Sequence, residues 1–364
     1  MLLFTLAITL LSGFAVAQFP LIGKHRTARC PAVNRATDET KAIDIHYVEV
    51  NPRAKDTLIF VHGWPGIWSI WKHQINEFKN DYRVVVVDVR GMGASGHPGD
   101  VEGSSSTGDF VDDLVCVLKH AEVAGKSVCI GHDWGSSICW EAGRARPDIF
   151  SGVISLAVPY LASAGPYTPI EAFLKTFPRL TYQVYFRDTI DNAAAELEAD
   201  VRRTIRIVYK HSNTTAPDTF LTSSTSFLTP YDGIELSRSP LMTQEEEDYL
   251  VDQFTKSGFK NSLQFYQHRN RYLSWQIAHD NGTFNVNVPS LAIYPNKDSV
   301  ADWNVVSEIA KSKSFVPQLE EVSVPTAHCP HMERPKEINA YLGDWLTRTF
   351  PSSRGTFEKA EGEL

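Results

Sequence analysis

The chain has 364 residues, of which 43% are hydrophobic and 21% are charged, and its formal net charge at pH 7 is −8. This length exceeds what one simple hydrophobic core usually serves, so a main domain with an inserted lobe is expected. The composition is that of an ordinary globular protein. Nucleic-acid binding would require a positive surface, and the chain has no run of basic residues.

Residues 1–17 form an almost wholly apolar stretch that ends in Ala15-Val16-Ala17. This arrangement is typical of a secretory signal peptide that is cleaved after Ala17, and it falls short of the about 20 apolar residues of a membrane helix. The stretch carries no Lys or Arg, so a retained N-terminal anchor is the alternative. We expect a secreted protein, with sequons that suit glycosylated surface loops at Asn213 and Asn281.

The five cysteines do not show the spacing of a disulfide framework. Cys116, Cys129 and Cys139 lie within apolar helix or strand patterns, which favours small buried side chains. Because five is an odd number, at least one cysteine is unpaired within the chain. The sequence leaves open whether Cys30 forms a disulfide with another cysteine.

Strands and helices alternate over the first half of the chain. The run at residues 83–89, Arg-Val-Val-Val-Val-Asp-Val, is typical of a strand buried on both faces of a parallel sheet. Further strands are predicted at residues 43–50, 57–61, 127–131 and 153–158, and helices at residues 110–123 and 136–145. This alternation predicts an α/β fold with a mostly parallel, doubly wound sheet.

From residue 159 to residue 285 the pattern indicates helices and loops without a clear parallel strand. Predicted here are a helix at residues 191–209, a long surface loop at residues 211–240, and a helix that a capping box at residues 243–246 opens. Sheet elements resume with strands at residues 290–294 and 319–324 and helices at residues 303–312 and 337–350. We therefore predict an α/β core of residues 18–158 and 286–352, a helical cap of residues 159–285, and a loose tail of residues 353–364.

The pentapeptide Gly131-His132-Asp133-Trp134-Gly135 lies between a predicted strand and a predicted helix. Two glycines at these positions allow the tight turn of a nucleophile elbow, which exposes its central side chain above the sheet. A carboxylate, ionised at neutral pH, suits displacement at a saturated carbon rather than attack on an acyl carbon. The alternative for Asp133 is an ordinary helix cap. A serine-type esterase is disfavoured because Ser136 and Ser137 lie past the turn.

An acid and a histidine follow the elbow in chain order. Asp298 comes after a predicted strand, at the carboxyl end where the sites of α/β proteins lie. His328 comes after the last strand and before a helix that a proline starts, and His331 is its rival. The order nucleophile, acid, histidine is that of α/β-hydrolases.

The segment His62-Gly63-Trp64-Pro65 ends an earlier strand. A turn there can aim the backbone N–H of Trp64 beside that of Trp134, which gives an oxyanion hole with two donors. The alternative is that both tryptophans are core residues at strand ends.

These motifs resemble those of the α/β-hydrolase-fold epoxide hydrolases, over nearly all of residues 43–350. Five segments carry the resemblance: His62–Pro65, Asp88-Val-Arg-Gly-Met-Gly-Ala-Ser95, Gly131–Gly135, Lys297-Asp298 and the run from His328 to Pro335. Two residues depart from the family pattern. Ala327 stands where glycine is usual, and Trp64 stands where phenylalanine is common and would narrow the pocket.

The resemblance extends to the cap, where it implies that Tyr182 and Tyr266 are the two lid tyrosines that donate hydrogen bonds to the epoxide oxygen. Tyr185 is the alternative to Tyr182 as the first lid tyrosine. For both tyrosines, the alternative role is that of a half-buried packing residue. The implied reaction forms an ester on Asp133, which water activated by His328 and Asp298 then hydrolyses to a vicinal diol.

A haloalkane dehalogenase shares this triad and is the main alternative, and a noncatalytic ligand-binding protein on the same fold is another. The expected partners are a small apolar epoxide and water, with no nucleic acid and no stable membrane association once the leader is cleaved. No cofactor and no metal are implied, since the histidines lack ligand spacing. The sequence does not indicate an oligomeric state.

Overall fold

The computed structural model describes residues 22–351. The predicted signal peptide at residues 1–17 and the tail at residues 353–364 therefore lie outside the described residues. Within residues 22–351, no helix is both long and apolar enough to cross a bilayer.

A sheet of eight strands forms the centre of the described chain. The strands are β1 (Lys24–Asn34), β2 (Glu39–Val50), β3 (Thr57–Val61), β4 (Arg83–Val87), β5 (Ser127–His132), β6 (Phe150–Leu156), β7 (Ser290–Pro295) and β8 (Leu319–Val324). Their order is β1-β2-β4-β3-β5-β6-β7-β8. The pairs β1–β2 and β2–β4 are antiparallel, and the other five pairs are parallel. The predicted mostly parallel sheet is confirmed.

Twelve α-helices accompany this sheet in the described residues. They are α1 (Lys72–Phe78), α2 (Thr107–His120), α3 (Trp134–Ala145), α4 (Tyr182–Asp188), α5 (Ile190–Ala199), α6 (Val201–Val208), α7 (Gln244–Ser257), α8 (His268–Asn281), α9 (Trp303–Ala310), α10 (Ser312–Phe315), α11 (Pro330–Glu333) and α12 (Pro335–Thr349). Helices α4 to α8 lie in the segment between β6 and β7, which contains no strand in the described chain.

The central strands form where the sequence is continuously apolar. All five residues of β3 and all five of β4 are buried, as expected for strands covered on both faces. The capping box predicted at residues 243–246 is present, because the Thr243 side chain accepts from the Glu246 N–H and the Glu246 side chain accepts from the Thr243 N–H.

Strand β1 was not among the predicted elements. It lies at the edge of the sheet and contains Pro31. Its first four residues are polar and none of them is buried, so the sequence shows only a weak apolar periodicity. Its eleven residues pair with β2 from Lys24 opposite Glu49 to Asn34 opposite Glu39. This pairing extends β2 four residues beyond its predicted start.

The helix predicted at residues 191–209 is wrong as a single element. Helices α5 and α6 are separated at Asp200, whose backbone is extended (φ −147°, ψ 88°). The Asp200 side chain accepts a hydrogen bond of 2.9 Å from the Arg203 N–H and so caps α6. The helix predicted at residues 303–312 also ends early, at Ala310, because Lys311 adopts a left-handed conformation.

The cysteine prediction is also wrong. Cys116, Cys129 and Cys139 are not free buried side chains, because disulfides join Cys30 to Cys116 and Cys129 to Cys139. The first links β1, which was not predicted, to α2, and the second links β5 to α3. Neither proximity is visible in the sequence before the strands are placed. Cys329 is free and buried.

Candidate active site

The turn between β5 and α3 places Asp133 above the sheet with a left-handed backbone (φ 54°, ψ −122°). The flanking glycines are required by contact distance. A Cβ atom on Gly131 would lie 2.1 Å from the Gly135 carbonyl oxygen, and one on Gly135 would lie 2.1 Å from the Val61 carbonyl oxygen. The pentapeptide therefore forms the predicted tight turn, and Asp133 is strained there.

The Asp133 carboxylate is held by backbone donors. The Trp64 N–H donates to Oδ1 over 2.9 Å, and the Trp134 N–H also donates to this carboxylate. Burial raises the pKa of Asp133, but His328, His132 and the backbone donors outweigh burial and hold that pKa below its ordinary value. Asp133 is therefore ionised at neutral pH, and both tryptophan N–H groups lie where the oxyanion hole was predicted.

His328 lies between two carboxylates. Its Nδ1 is 2.7 Å from Oδ2 of Asp298, and its Nε2 is 3.6 Å from Oδ2 of Asp133. Asp298 also accepts from the Trp303 indole over 2.6 Å and from the Val300 N–H over 2.9 Å. These donors fix the carboxylate that orients the imidazole, and they leave Nε2 facing Asp133.

This position changes the charge of the imidazole. Burial lowers the pKa of His328, but Asp298 and Asp133 outweigh burial and raise the pKa to about 10. The ring is therefore an imidazolium at neutral pH. The resting site holds a cation between two carboxylates.

His331, the rival to His328, does not face Asp133. Its ring lies between Trp71 and His132, at centroid distances of 4.4 and 4.6 Å. Both ring nitrogens are buried without a hydrogen-bond partner in the described chain, and burial holds the pKa well below its ordinary value. His331 is thus a neutral packing residue.

The loop that carries Trp64 is fixed from both sides. His62 is fully buried, and its Nδ1–H donates to the Gly63 carbonyl (2.9 Å) while its Nε2 accepts from the Val89 N–H (3.0 Å). The Trp64 indole N–H donates to the Ser262 hydroxyl of the cap over 3.0 Å. The loop conformation that aims the Trp64 N–H is therefore supported by both the core and the cap.

The cap places two phenols over this site. Tyr182 opens α4, and Tyr266 ends the short turn before α8. Both side chains are buried, and their ring centroids are 5.8 Å apart. Burial is the main cause that raises the pKa of each phenol, and the charge of Asp133 raises both further. Both hydroxyls therefore stay protonated and can donate hydrogen bonds.

Tyr185, the alternative to Tyr182, does not belong to this group. Burial and the Glu196 carboxylate raise the pKa of its phenol, and its hydroxyl interacts with Glu196. The side chain thus points into the cap rather than toward Asp133.

The sequence profile of the alpha/beta hydrolase fold family matches residues 56–335. The chain belongs to this family. Among curated relatives, it is similar to bifunctional epoxide hydrolase 2 of Sus scrofa, with 29% identity over 84% of this chain and 53% of the relative. It is also similar to epoxide hydrolase A of Mycobacterium tuberculosis, with 29% identity over 85% of this chain and 96% of the relative. The chain spans about half the length of the mammalian relatives.

Solved structures show the same likeness. Epoxide hydrolase A from Mycobacterium thermoresistibile is 26% identical, with a TM-score of 0.72 over 88% of this chain and 98% of that one. An epoxide hydrolase from an endophytic Streptomyces is 26% identical, with a TM-score of 0.74 over 89% and 95%. The predicted fold class and the resemblance stated from the motifs are confirmed.

As in the α/β architecture generally, the family site lies beyond the carboxyl ends of the strands. Asp133, Asp298 and His328 follow β5, β7 and β8 and meet there. Sequence reasoning did not identify Trp303 as the donor to Asp298. Trp303 starts α9, and no spacing signal links its indole to a carboxylate five residues earlier.

Within residues 22–351, no group of three or more His, Cys, Asp or Glu side chains is arranged to hold a metal ion. The imidazoles of His132 and His328 are instead hydrogen-bonded to a carbonyl group and to a carboxylate. His132 Nε2, for example, is 2.7 Å from the His328 carbonyl oxygen and must donate to it.

Proposed function

We propose that this protein is an epoxide hydrolase that converts epoxides to vicinal diols through an ester on Asp133. One observation carries the proposal: an ionised, strained Asp133 lies below two buried, protonated phenols, those of Tyr182 and Tyr266. A nucleophilic carboxylate opposite two acidic donors suits a three-membered ring whose oxygen must leave. The names of the relatives and of the solved structures support the same activity.

In the first step, Oδ2 of Asp133 attacks a ring carbon, since Oδ1 is occupied by the Trp64 N–H. The carbon–oxygen bond of the epoxide breaks as the new bond to Asp133 forms. The departing oxygen takes a proton from Tyr182 or Tyr266. The phenolate regains its proton from the His328 imidazolium, directly or through water.

Ester formation also prepares His328 for the second step. The raised pKa of His328 depends in part on the negative charge of Asp133. The ester is neutral, so this contribution is lost while Asp298 continues to orient the ring. The ring, which has given its proton to the phenolate, is therefore less readily reprotonated and can act as a base.

In the second step, His328 takes a proton from a water molecule, and the hydroxide attacks the ester carbonyl carbon. The negative charge that develops on Oδ1 is stabilised by the backbone N–H groups of Trp64 and Trp134. The bond between the ester carbon and the diol oxygen breaks, and that oxygen takes a proton from the His328 imidazolium. The new carboxylic acid of Asp133 then gives its proton back to His328. The Asp133 carboxylate and the His328 imidazolium are restored.

Turnover in water enriched in heavy oxygen tests the ester route. In a single turnover, the label should enter the Asp133 peptide and not the diol, because the diol oxygen comes from the old carboxylate. The measurement is mass analysis of the diol and of the digested protein, with a panel that includes styrene oxide and cyclohexene oxide. Label that appears first in the diol would refute the ester.

The dehalogenase alternative requires free N–H donors for a halide. The Trp64 indole N–H is instead bonded to Ser262, and the Trp134 indole interacts with the Tyr266 hydroxyl. Incubation with 1-bromobutane should therefore release no bromide under conditions in which epoxides yield diols.

We further propose that the protein is secreted and glycosylated. Two disulfides suit an oxidising compartment, and the side chains of Asn213 and Asn281 are exposed. Expression in animal cells should give protein in the medium that begins at residue 18 and loses mass on treatment with peptide-N-glycosidase. Retention of residues 1–17 on a membrane fraction would contradict cleavage.

A further inference from the structure

Arg271 is a half-buried cation of α8 that has no aspartate or glutamate partner among residues 22–351. Its guanidinium lies over the Trp134 ring at 4.9 Å and over the Tyr266 ring at 5.9 Å. Its Nε–H donates to the Phe265 carbonyl over 3.0 Å. A charged group removed from water without a counterion costs free energy, so its position beside the two lid tyrosines requires a functional account.

Two hydrogen bonds lead from this cation to the first lid tyrosine. Arg271 Nη2 donates to Gln183 Oε1 over 2.7 Å, and Gln183 Nε2 donates to the Tyr182 hydroxyl oxygen over 3.3 Å. Gln183 is buried. The Arg271 guanidinium is therefore connected to the Tyr182 phenol through the Gln183 amide.

The order of donors and acceptors from Arg271 through Gln183 to Tyr182 determines where the proton of the Tyr182 hydroxyl points. A guanidinium only donates, so the amide oxygen of Gln183 must face Arg271 and the amide N–H must face Tyr182. Tyr182 then accepts from Gln183, and its own proton remains available for the substrate side. With the amide reversed, the carbonyl oxygen would compete with the epoxide for that proton.

The same contacts stabilise negative charge on the phenol. Burial and the charge of Asp133 raise the pKa of Tyr182, whereas the hydrogen bonds with Gln183 and Tyr266 and the charge of Arg271 lower it. A phenol that transfers its proton in the transition state gains from a donor and a cation behind it.

We propose that Arg271 and Gln183 are positioning residues that hold Tyr182 as a proton donor to the epoxide oxygen. As the ring opens, the O–H bond of Tyr182 breaks, and its proton joins the departing oxygen. Gln183 and Arg271 hold the resulting phenolate until the His328 imidazolium returns a proton. This inference rests on the proposed epoxide hydrolase activity.

Gln183→Glu is the sharpest test. The variant nearly keeps size and shape and strengthens the contact with Arg271, but its carboxylate offers only acceptors to Tyr182. The rate of ester formation should fall at least about tenfold, which is less than the about 10²–10⁴-fold of full general acid assistance because Tyr266 remains as a donor. Hydrolysis of the preformed ester should stay within about twofold of wild type. Both rates are measured by rapid quenching and mass analysis of the Asp133 peptide.

Gln276→Glu, the same change on the half-buried surface of α8, is the matched control and should alter neither rate. Arg271→Met should also slow ester formation alone, and Arg271→Lys should restore part of the rate because it keeps the charge. These variants keep the test open if Gln183→Glu does not fold. A merely structural role would instead slow both steps, and Lys would restore them no better than Met.

The two proposals fail differently. If wild type forms no ester with any epoxide of the panel, the proposed function fails and this inference fails with it. If wild type forms the ester and Gln183→Glu and Arg271→Met form it as fast, only the role of Arg271 and Gln183 is refuted.

Discussion

His328 lies 2.7 Å from Asp298 and 3.6 Å from Asp133, and both carboxylates act on its charge. Only one of them is consumed during the proposed reaction. Asp298 keeps its charge throughout, whereas Asp133 becomes neutral as an ester. A single imidazole can therefore be a cation before ring opening and a base after it, because the environment changes rather than the residue.

His328→Gln should separate the two steps. Asp133 keeps its backbone donors in this variant, so ester formation should proceed, whereas hydrolysis should slow by about 10²–10⁴-fold without a general base. We expect one equivalent of epoxide to be consumed and a stable mass increase on the Asp133 peptide. Asp133→Ala, the control, should consume none. If the peptide at position 133 gains mass no faster in His328→Gln than in Asp133→Ala, the assignment of His328 is wrong.

The raised pKa of His328 also predicts how folding stability depends on pH. The folded ring has a pKa of about 10, against an ordinary value of 6.5, so the folded state binds the proton more tightly. The resulting stabilisation is complete below about pH 6.5 and is lost as the pH rises through about 10. The difference in free energy of unfolding between wild type and His328→Gln should therefore shrink from pH 6 to pH 10. A difference that stays constant in urea denaturation over this range would contradict the ion pair.

At the scale of elements, the β5–α3 turn depends on backbone contacts that no side chain can enter. A Cβ atom on Gly135 would lie 2.1 Å from the carbonyl oxygen of Val61 on β3, and neither backbone has room to move within a buried sheet. Strand, turn and helix are therefore fixed together.

Gly135→Ala should lower the free energy of unfolding by about 3 kcal/mol or more, since the clash must displace buried backbone. Gly125→Ala is the matched control, because a Cβ atom on exposed Gly125 would meet nothing within 4 Å. Urea denaturation of both variants measures the effect. Equal stability of the two variants would contradict the close approach of β3 and α3.

The elements that the sequence predicts well are those with a strong local signal. Strands β3, β4 and β7 follow from β-branched or apolar runs, and the elbow follows from two glycines around Asp133. Strand β1 and its disulfide partner were missed because an edge strand with a proline has little apolar pattern. Gln183 and Arg271 are 88 residues apart in sequence, and no local pattern indicates that one orients the other. Roles of the site residues in turnover stay predictions.

At the scale of the whole molecule, two disulfides tie secondary structure to the sheet. The Cys30–Cys116 bridge joins an edge strand to α2 across 86 positions of sequence. Closing so long a loop restricts the unfolded chain far more than the folded one.

Replacing both Cys30 and Cys116 by Ala should lower the free energy of unfolding by about 2–4 kcal/mol under oxidising conditions. Wild type should lose comparable stability when a reductant is added, and the variant should respond less. Urea midpoints with and without reductant provide the measurement. A variant that unfolds at the wild-type midpoint without reductant would show that this bridge does not contribute.

The loop that aims the Trp64 N–H at Asp133 is attached to the cap twice. The Trp64 indole bonds Ser262, and the Tyr209 hydroxyl bonds the Pro65 carbonyl over 2.6 Å. Any displacement of the cap that separates these pairs would leave the loop held only by its contacts with the core, through His62. The position of the Trp64 N–H, which the proposed ester hydrolysis requires, is therefore coupled to the position of the cap.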